Sequence, residues 1–285
     1  MAIFSAHLSE IRRSKSENAV KSAAYISGSR LSLEVADKTA PGLLRKITWD
    51  FSSKAGVVYS VILAPDNSCE WIMNREQLWN RAEKAETRLR AQTGRRFLIA
   101  LPRELTEEQN IELSRAFALD YLVSHGMVVD LNIHYDNEHN PHLHLQMTTR
   151  ELVRNEDGSV VFARTKNRDW GRTFFINYLR SGVESVINDH LELHGHLSRI
   201  SHLSHKARGI ELIPGIHEGA ARHMTGSERR ILNDEILRKN SQNIRDNPEL
   251  VFHKLSINKP VFTKEDIARA LSDACLLYTS DAADE

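Results

Sequence analysis

The sequence has little of several features that would assign it to a familiar class. Only two cysteines, Cys69 and Cys275, occur in 285 residues, so no disulfide framework is expected and a reducing cytoplasm fits best. No run of about 18 apolar residues is present, which argues against a membrane span. The amino terminus, MAIFSAHLSEIRRSKS, becomes charged early, unlike a secretory signal.

The chain also carries no formal net charge. Lys plus Arg and Asp plus Glu each number 38, so composition alone does not indicate a nucleic-acid partner. The sequence contains no G-x-x-x-x-G-K-[ST] loop, and ATP hydrolysis is therefore not expected of this chain. A hydrophobic fraction of 41% and a charged fraction of 27% are nevertheless typical of a globular protein with a core.

Periodicity and capping signals predict alternating strands and helices in the first three quarters of the chain. Ser16 or Asn18 opens a helix that stops at Gly28, and Asn74 opens a helix that is predicted to end at Gly94. Strands are predicted in the segments AIFSAHL, GVVYSVIL, RFLIALP, MVVDLNIHY and PHLHLQMTT. The last two of these form an antiparallel hairpin that is rich in histidine.

The hairpin brings three histidines to one surface. His142 and His144 share a face because side chains alternate along a strand, and His134 shares a face with Asn132 on the preceding strand. Cross-strand neighbours lie about 5 Å apart, so the three imidazoles can bind one ion. His139 falls in the turn and is expected to be exposed.

A metal site explains this cluster better than packing does, because three buried imidazoles need partners and repel one another when protonated. The cluster contains no cysteine, which excludes a thiolate zinc site. Imidazole ligands leave positions open for substrate oxygens, which suits Lewis-acid catalysis by Mg²⁺, Mn²⁺ or Zn²⁺.

A nucleophile must accompany such a metal. No carboxylate that could activate water follows the histidines in HLHLQMTT, so we consider a side chain instead. Tyr25 is the candidate, because it ends a predicted helix among small residues (SAAYISG). A packing role for Tyr25 is the alternative.

Five segments of the sequence occur in an order typical of one known family: MAIFSAHLSEIRRSKSENAVKSAAYISGSRL, LWNRAEKAETR, IALPRELT, GMVVDLNIHYDNEHNPHLHLQMTTREL and GIELIPGIHEG. In these segments the chain resembles the MobA/MobL class of conjugative relaxases, which are HUH-type nucleases. The resemblance implies an α+β fold, a five-stranded antiparallel sheet with helices packed on one face.

The resemblance also implies a function. Such proteins nick one strand of plasmid DNA at a transfer origin and stay attached to the 5′ phosphate. By this match Tyr25 is the nucleophile, and His134, His142 and His144 bind a divalent ion, Mg²⁺ or Mn²⁺, with Zn²⁺ as an alternative. The implied partners are single-stranded or hairpin DNA at the origin, accessory proteins of the relaxosome and a coupling protein.

One position departs from the family pattern. Family members commonly carry a carboxylate four residues before the Ala of IALP, where this chain has Arg96, which cannot act as a base. Three interpretations remain open. Glu83 or Glu86 supplies the acid, the site is less active, or Arg96 binds a DNA phosphate.

A basic run follows the histidines and is the candidate for contacts with the DNA backbone, an ordinary solvated loop being the alternative. Its members are Arg150, Arg154, Arg164, Lys166, Arg168 and Arg172.

The predicted domain organisation has four parts. Residues 1–220 form the nuclease domain, residues 221–250 a helical connector, and residues 251–274 the start of a truncated helicase-like region, similar to that of the Ti-plasmid (TraA) type of relaxase. Residues 275–285, CLLYTSDAADE, are expected to be a translated sequencing adaptor. A genuine polar tail is the alternative.

Three functional hypotheses make different predictions. A strand transferase loses its covalent DNA adduct in Tyr25→Phe. A metal-dependent phosphodiesterase that uses water keeps most nicking in the same variant. A catalytically impaired DNA-binding module binds single-stranded or hairpin DNA without metal-dependent cleavage.

Overall fold

The computed structural model describes residues 4–36, 44–65, 69–135, 140–216, 228–259 and 261–274. The chain divides into two compact units, Met1–His196 and Leu197–Glu285. The turn around His139 and the tail from Cys275, for which we made predictions above, lie outside the described residues.

The described part of the first unit contains the following elements. Its strands are β1 (Ala6–Arg12), β2 (Arg30–Ala36), β3 (Leu44–Asp50), β4 (Val57–Leu63), β5 (Gln92–Ala100), β6 (Val129–His134), β7 (His142–Met147), β8 (Leu152–Arg154) and β9 (Val160–Phe162). Its helices are α1 (Ala19–Ser27), α2 (Glu70–Met73), α3 (Arg75–Lys84), α4 (Glu107–Tyr121) and α5 (Thr173–Leu193).

A five-stranded antiparallel sheet forms the centre of this unit, with the strand order β1-β5-β7-β6-β4. The predicted sheet is thereby confirmed. The apolar side chains of β6 and β7 lie on one face and their polar side chains on the other, as the two-residue period requires. Two small ribbons, β2 with β3 and β8 with β9, accompany the sheet.

The apolar face of the sheet packs against α4 and α5. The ring centroids of Phe97 and Phe117 are 6.0 Å apart, and Phe117 stacks on Tyr121 at 5.3 Å. Gly182 of α5 faces Tyr121 so closely that a Cβ atom there would lie 2.2 Å from the ring. The aromatic cluster therefore sets how near α5 approaches α4.

The polar face is covered by α1 and α3. Trp79 of α3 donates to Asp130 of β6 at 2.9 Å, and Gln146 of β7 donates to the Ala19 carbonyl of α1 at 2.9 Å. Helices thus lie on both faces, and the expectation of helices on one face was wrong. The small residues of α1, such as Ala23, let that helix approach a surface of polar side chains.

The boundaries of α1 follow its capping residues. Asn18, rather than Ser16, is the N-cap, and its side chain accepts a hydrogen bond from the Lys21 N–H at 2.6 Å. Gly28 ends the helix with φ of 58° in the left-handed region, which favours glycine. A Cβ atom at Gly28 would also lie 3.1 Å from Val57 Cγ2.

The helix predicted to end at Gly94 is shorter than expected. It begins after Asn74 but ends at Lys84, and Gly94 lies inside β5. A Cβ atom at Gly94 would sit 3.2 Å from Ile11 Cδ1 and 3.6 Å from the Trp79 ring. This glycine therefore allows close packing within the sheet rather than a helix end.

The described part of the second unit contains the helices α6 (Glu228–Asp246), α7 (Glu249–Asn258) and α8 (Lys264–Ala274), which follow a largely irregular segment. Its core includes Ile210 and Leu212 together with residues of these helices. The compact unit therefore begins before residue 220, where we placed a domain boundary. The functional assignment of each segment stays a prediction.

The helices of the described residues include none with the length and hydropathy of a membrane span.

Candidate metal centre and nucleophile

The hairpin of β6 and β7 brings the three predicted histidines together. His134 pairs directly with His142, and Asn132 pairs with His144. The ring centroids of His134 and His144 are 4.3 Å apart, and His142 lies 5.3 Å and 4.9 Å from them. One ring nitrogen from each residue lies within 4.8 Å of the others.

This donor set fits a divalent ion. Nitrogens that bind one ion at about 2.1 Å lie at most about 4.2 Å apart, so small rotations of the rings complete the site. Three imidazoles without a thiolate leave coordination positions for other oxygen ligands. Among the described residues, the three histidines could therefore hold an ion in an open site rather than in a closed structural one.

Hydrogen bonds orient two of the rings. His134 is fully buried, and its Nε2–H donates to the Ile26 carbonyl at 2.5 Å, which leaves Nδ1 as the nitrogen with a lone pair. His142 Nδ1 lies 2.8 Å from the Asn140 carbonyl, so Nδ1 carries its proton and Nε2 has the lone pair. Such hydrogen bonds fix the ring tautomer of metal ligands.

His144 is held in its neutral form. Burial is the largest of the causes that together lower the pKa of His144 to about 2, and the neighbouring His134, His142, Lys54 and Arg96 contribute the rest in that order. A neutral imidazole keeps the lone pair that a metal requires.

Tyr25 lies in the last turn of α1, next to Ile26, whose carbonyl binds His134. Its side chain is about half exposed, at 49%. The ring meets the edge of Phe51 with centroids 5.4 Å apart, and Lys54 Nζ lies over its face at 4.1 Å. The end of α1 thus places the predicted nucleophile beside the predicted metal ligands.

Arg96 lies on the histidine face of the sheet, opposite Gln146. Its guanidinium forms an ion pair with Glu17 at 2.6 Å. Glu17 and Arg96 line a cavity of about 240 Å³ together with Lys21, Tyr25 and other residues. The carboxylate that accompanies Arg96 is therefore Glu17, which the sequence analysis missed.

The two acids proposed from the sequence have other partners. Glu83 accepts from the Ala19 N–H at 2.6 Å and from Arg13 at 2.9 Å. Glu86 binds Arg150 at 2.8 Å and Lys166 at 3.0 Å. Ala19 is at the amino-terminal end of α1, whereas His134 contacts its carboxyl-terminal end. Glu83 therefore caps a helix, and Glu86 neutralises two basic side chains.

The predicted basic run divides into two groups. Arg150 and Lys166 turn inward to Glu86, while Arg154 and Arg172 are exposed, with contacts to the Gly158 carbonyl and to Asp169. The exposed Arg164 and Arg168 line a cavity of about 590 Å³. The same cavity is lined by Arg88 and Arg90, which the sequence analysis did not single out.

The side chains that sequence reasoning missed share one property. Lys54 contacts His134, which lies 80 residues later, and Arg96 contacts Glu17, 79 residues earlier. Neither contact follows from a local pattern. The one available signal was the placement of Lys54 in SSKAG, a turn between two apolar segments.

Comparisons with known proteins agree with the geometry. The MobA/MobL family model matches residues 17–227. The conjugal transfer protein TraA of Agrobacterium fabrum (strain C58 / ATCC 33970) is 32% identical over 95% of this chain, and the mobilization protein MobL of Acidithiobacillus ferridurans is 28% identical over 81% of it. This chain spans 27% of the length of that TraA protein and 65% of that MobL protein.

A solved structure, described as "Molecular Basis of Vancomycin Resistance Transfer in Staphylococcus aureus", is also similar. It is 33% identical to this chain, with a TM-score of 0.60. The match covers 71% of this chain and 100% of that one.

Proposed function

This chain belongs to the MobA/MobL family, and from that premise we propose that it is a conjugative relaxase, which nicks and rejoins one strand of plasmid DNA at a transfer origin. The observation that carries the proposal is the contact between His134 and the Ile26 carbonyl. That contact brings the residue after Tyr25 against the histidine cluster.

The residues have separate roles in the proposed reaction. The Tyr25 hydroxyl attacks the phosphorus atom and loses its proton, the Tyr25 Oη–P bond forms, and the bond from phosphorus to the 3′ oxygen breaks. The 3′ oxygen gains a proton, and the 5′ phosphate stays on Tyr25. The reverse attack by the 3′ hydroxyl rejoins the strand.

His134, His142 and His144 hold a divalent ion, with Mg²⁺ or Mn²⁺ as our first expectation and Zn²⁺ as the alternative. When bound there, such an ion supplies Lewis-acid stabilisation of charge on phosphate oxygens. The histidine side chains are pre-oriented for this role, because His134 and His142 are fixed by backbone carbonyls.

We further propose that the partner is single-stranded or hairpin DNA at a transfer origin, with relaxosome accessory proteins and a coupling protein as protein partners. Plasmid DNA is located in the bacterial cytoplasm, and we propose that compartment for this chain. Arg164 and Arg168 are the members of the basic run that we expect to contact DNA phosphates, since both are exposed at the edge of a cavity.

The proposal is tested with a pool of single-stranded oligonucleotides of random sequence. The protein is incubated with the pool and MnCl₂ and then denatured in detergent, and covalently attached DNA is captured and sequenced. We expect adducts with one enriched sequence from the native protein and none from Tyr25→Phe. Cleaved DNA without an adduct would support the water-using phosphodiesterase. Enrichment of one sequence by non-covalent binding, with neither cleavage nor an adduct, would support the impaired DNA-binding module.

A further inference from the structure

Lys54 lies in the turn between β3 and β4, and this turn is fixed against the end of α1. The Lys54 N–H donates to the Phe51 carbonyl at 2.9 Å, and the Phe51 N–H donates to the Ser29 carbonyl at 3.2 Å. A Cβ atom at Gly28 would lie 3.7 Å from the Lys54 carbonyl oxygen. The backbone of the turn therefore keeps a constant position relative to the helix that holds Tyr25.

The Lys54 side chain reaches the reacting groups from this turn. Its Nζ lies 4.1 Å from the centroid of the Tyr25 ring and 3.2 Å from His134 Nδ1. Phe51, from the same turn, meets the Tyr25 ring with its edge. One short segment thus contacts the predicted nucleophile twice and a predicted metal ligand once. Because His134 Nδ1 is the nitrogen assigned to the ion, the ammonium group has to leave that nitrogen when an ion binds, and it is then available to another acceptor nearby.

The charges around this point favour an anionic ligand. Lys54 Nζ lies 3.2 Å from His134 Nδ1, and Arg96 lies on the histidine face of the sheet opposite Gln146, so both side chains bring positive charge to this surface. An ammonium group is a compact charge with three N–H donors on a flexible stem, so it can donate to a phosphate oxygen while staying close to an aromatic ring.

We propose that Lys54 binds the phosphate that Tyr25 attacks: its ammonium group donates to a non-bridging oxygen of that phosphodiester. This inference rests on the proposed function of the same site. Lys54 keeps its protons throughout, and only the Tyr25 and 3′-oxygen bonds to phosphorus change. The non-bridging oxygens carry more negative charge in the transition state than in the ground state, so the contact accelerates the chemical step more than it tightens binding.

The test uses Lys54→Met, which keeps the length and apolar character of the stem, and Lys54→Arg, which keeps the charge. Lys84→Met is the matched control, because Lys84 is an exposed lysine that pairs with Glu34. For each protein, the single-turnover rate of adduct formation is measured with the oligonucleotide pool and MnCl₂. Binding of the same pool, Mn²⁺ affinity by calorimetry, and the thermal midpoint are measured in parallel.

We expect Lys54→Met to slow adduct formation by about 100-fold or more, since loss of one preorganised donor has effects of this size. Pool binding should change less than about threefold, Mn²⁺ affinity should be retained, and Lys54→Arg should recover most of the rate. Full activity of Lys54→Met, beside an active native protein, would overturn the inference alone. If Lys54→Met lowers the rate of adduct formation, the Mn²⁺ affinity and the thermal midpoint together, the inference is also overturned, and Lys54 has a structural role. No adduct from the native protein would refute the proposed function and this inference together.

Discussion

The stability of the histidine face is expected to depend on Asp130, which is fully buried on that same face of β6. Asp130 accepts hydrogen bonds from Arg75 at 2.9 Å, from Trp79 at 2.9 Å and from Asn132 at 2.9 Å. Asn132 lies on the same face as His134, two residues away. We therefore predict that Asp130→Ala destabilises the first unit and not only one surface contact.

The magnitude follows from the burial of the pair. The Arg75 side chain is 20% exposed and that of Asp130 is 0% exposed. Removing one partner of a buried pair costs about 3–5 kcal/mol in free energy of unfolding, and the partial exposure of Arg75 places the effect near the lower end, about 3 kcal/mol. For a unit of this size, 1 kcal/mol lowers the thermal midpoint by roughly 2–4 °C. The expected decrease is therefore about 6–12 °C.

Differential scanning calorimetry measures this change, with Asp169→Ala as the control. Asp169 pairs with Arg172, but their side chains are 61% and 67% exposed, so the control should shift the midpoint by less than about 2 °C. The double variant Asp130→Leu with Arg75→Leu should lose less stability than the sum of the single variants. Equal small shifts in Asp130→Ala and the control would refute the reasoning.

Three further predictions concern other charged groups. Glu83→Gln should lower the free energy of unfolding, measured by urea titration, by about 2–3 kcal/mol, since Glu83 is a buried charge bound to Arg13 and to the α1 amino terminus. A decrease below about 0.5 kcal/mol would contradict its capping role. The double variant Arg164→Glu with Arg168→Glu should bind the oligonucleotide pool more weakly, and its affinity should depend less on salt concentration. Fluorescence anisotropy at low and high salt measures both changes. An unchanged salt dependence would show that neither residue contacts DNA phosphates. Lys259, with the largest effect, and the Thr263 N–H together lower the pKa of Asp266 to about 2, so the stabilisation from these contacts should be complete above the ordinary aspartate pKa of about 3.9 and lost as the pH falls toward 2. A pH series of urea midpoints checks this, and Lys259→Met should remove that part of the pH dependence.

The sequence predicted those features that local patterns determine. The two-residue period of NIH and HLHLQ places the three histidines on one face, and the structure has that hairpin. The stop at Gly28 and the cap at Asn18, one of the two residues predicted to open the helix, define α1. The family and the five-stranded sheet were also predicted and are confirmed. The catalytic role of Tyr25 and the ligand roles of the histidines stay predictions.

The features that were not predicted depend on distant partners. Glu83 and Glu86 resemble free helix carboxylates in the sequence, but their partners Arg13 and Arg150 lie 70 and 64 residues away. The helix predicted to end at Gly94 consists of good helix formers, yet β5 begins before that glycine because pairing with β1 and packing on Ile11 outweigh local propensity.

The most direct test of the account is mass spectrometry of the covalent protein–DNA adduct after digestion by trypsin and nuclease. The account predicts a nucleotide attached through its 5′ phosphate to the peptide that contains Tyr25, formed with MnCl₂ and absent when the divalent ion is chelated. A nucleotide on another residue, such as Tyr59, or cleavage with every tyrosine peptide unmodified, would contradict it.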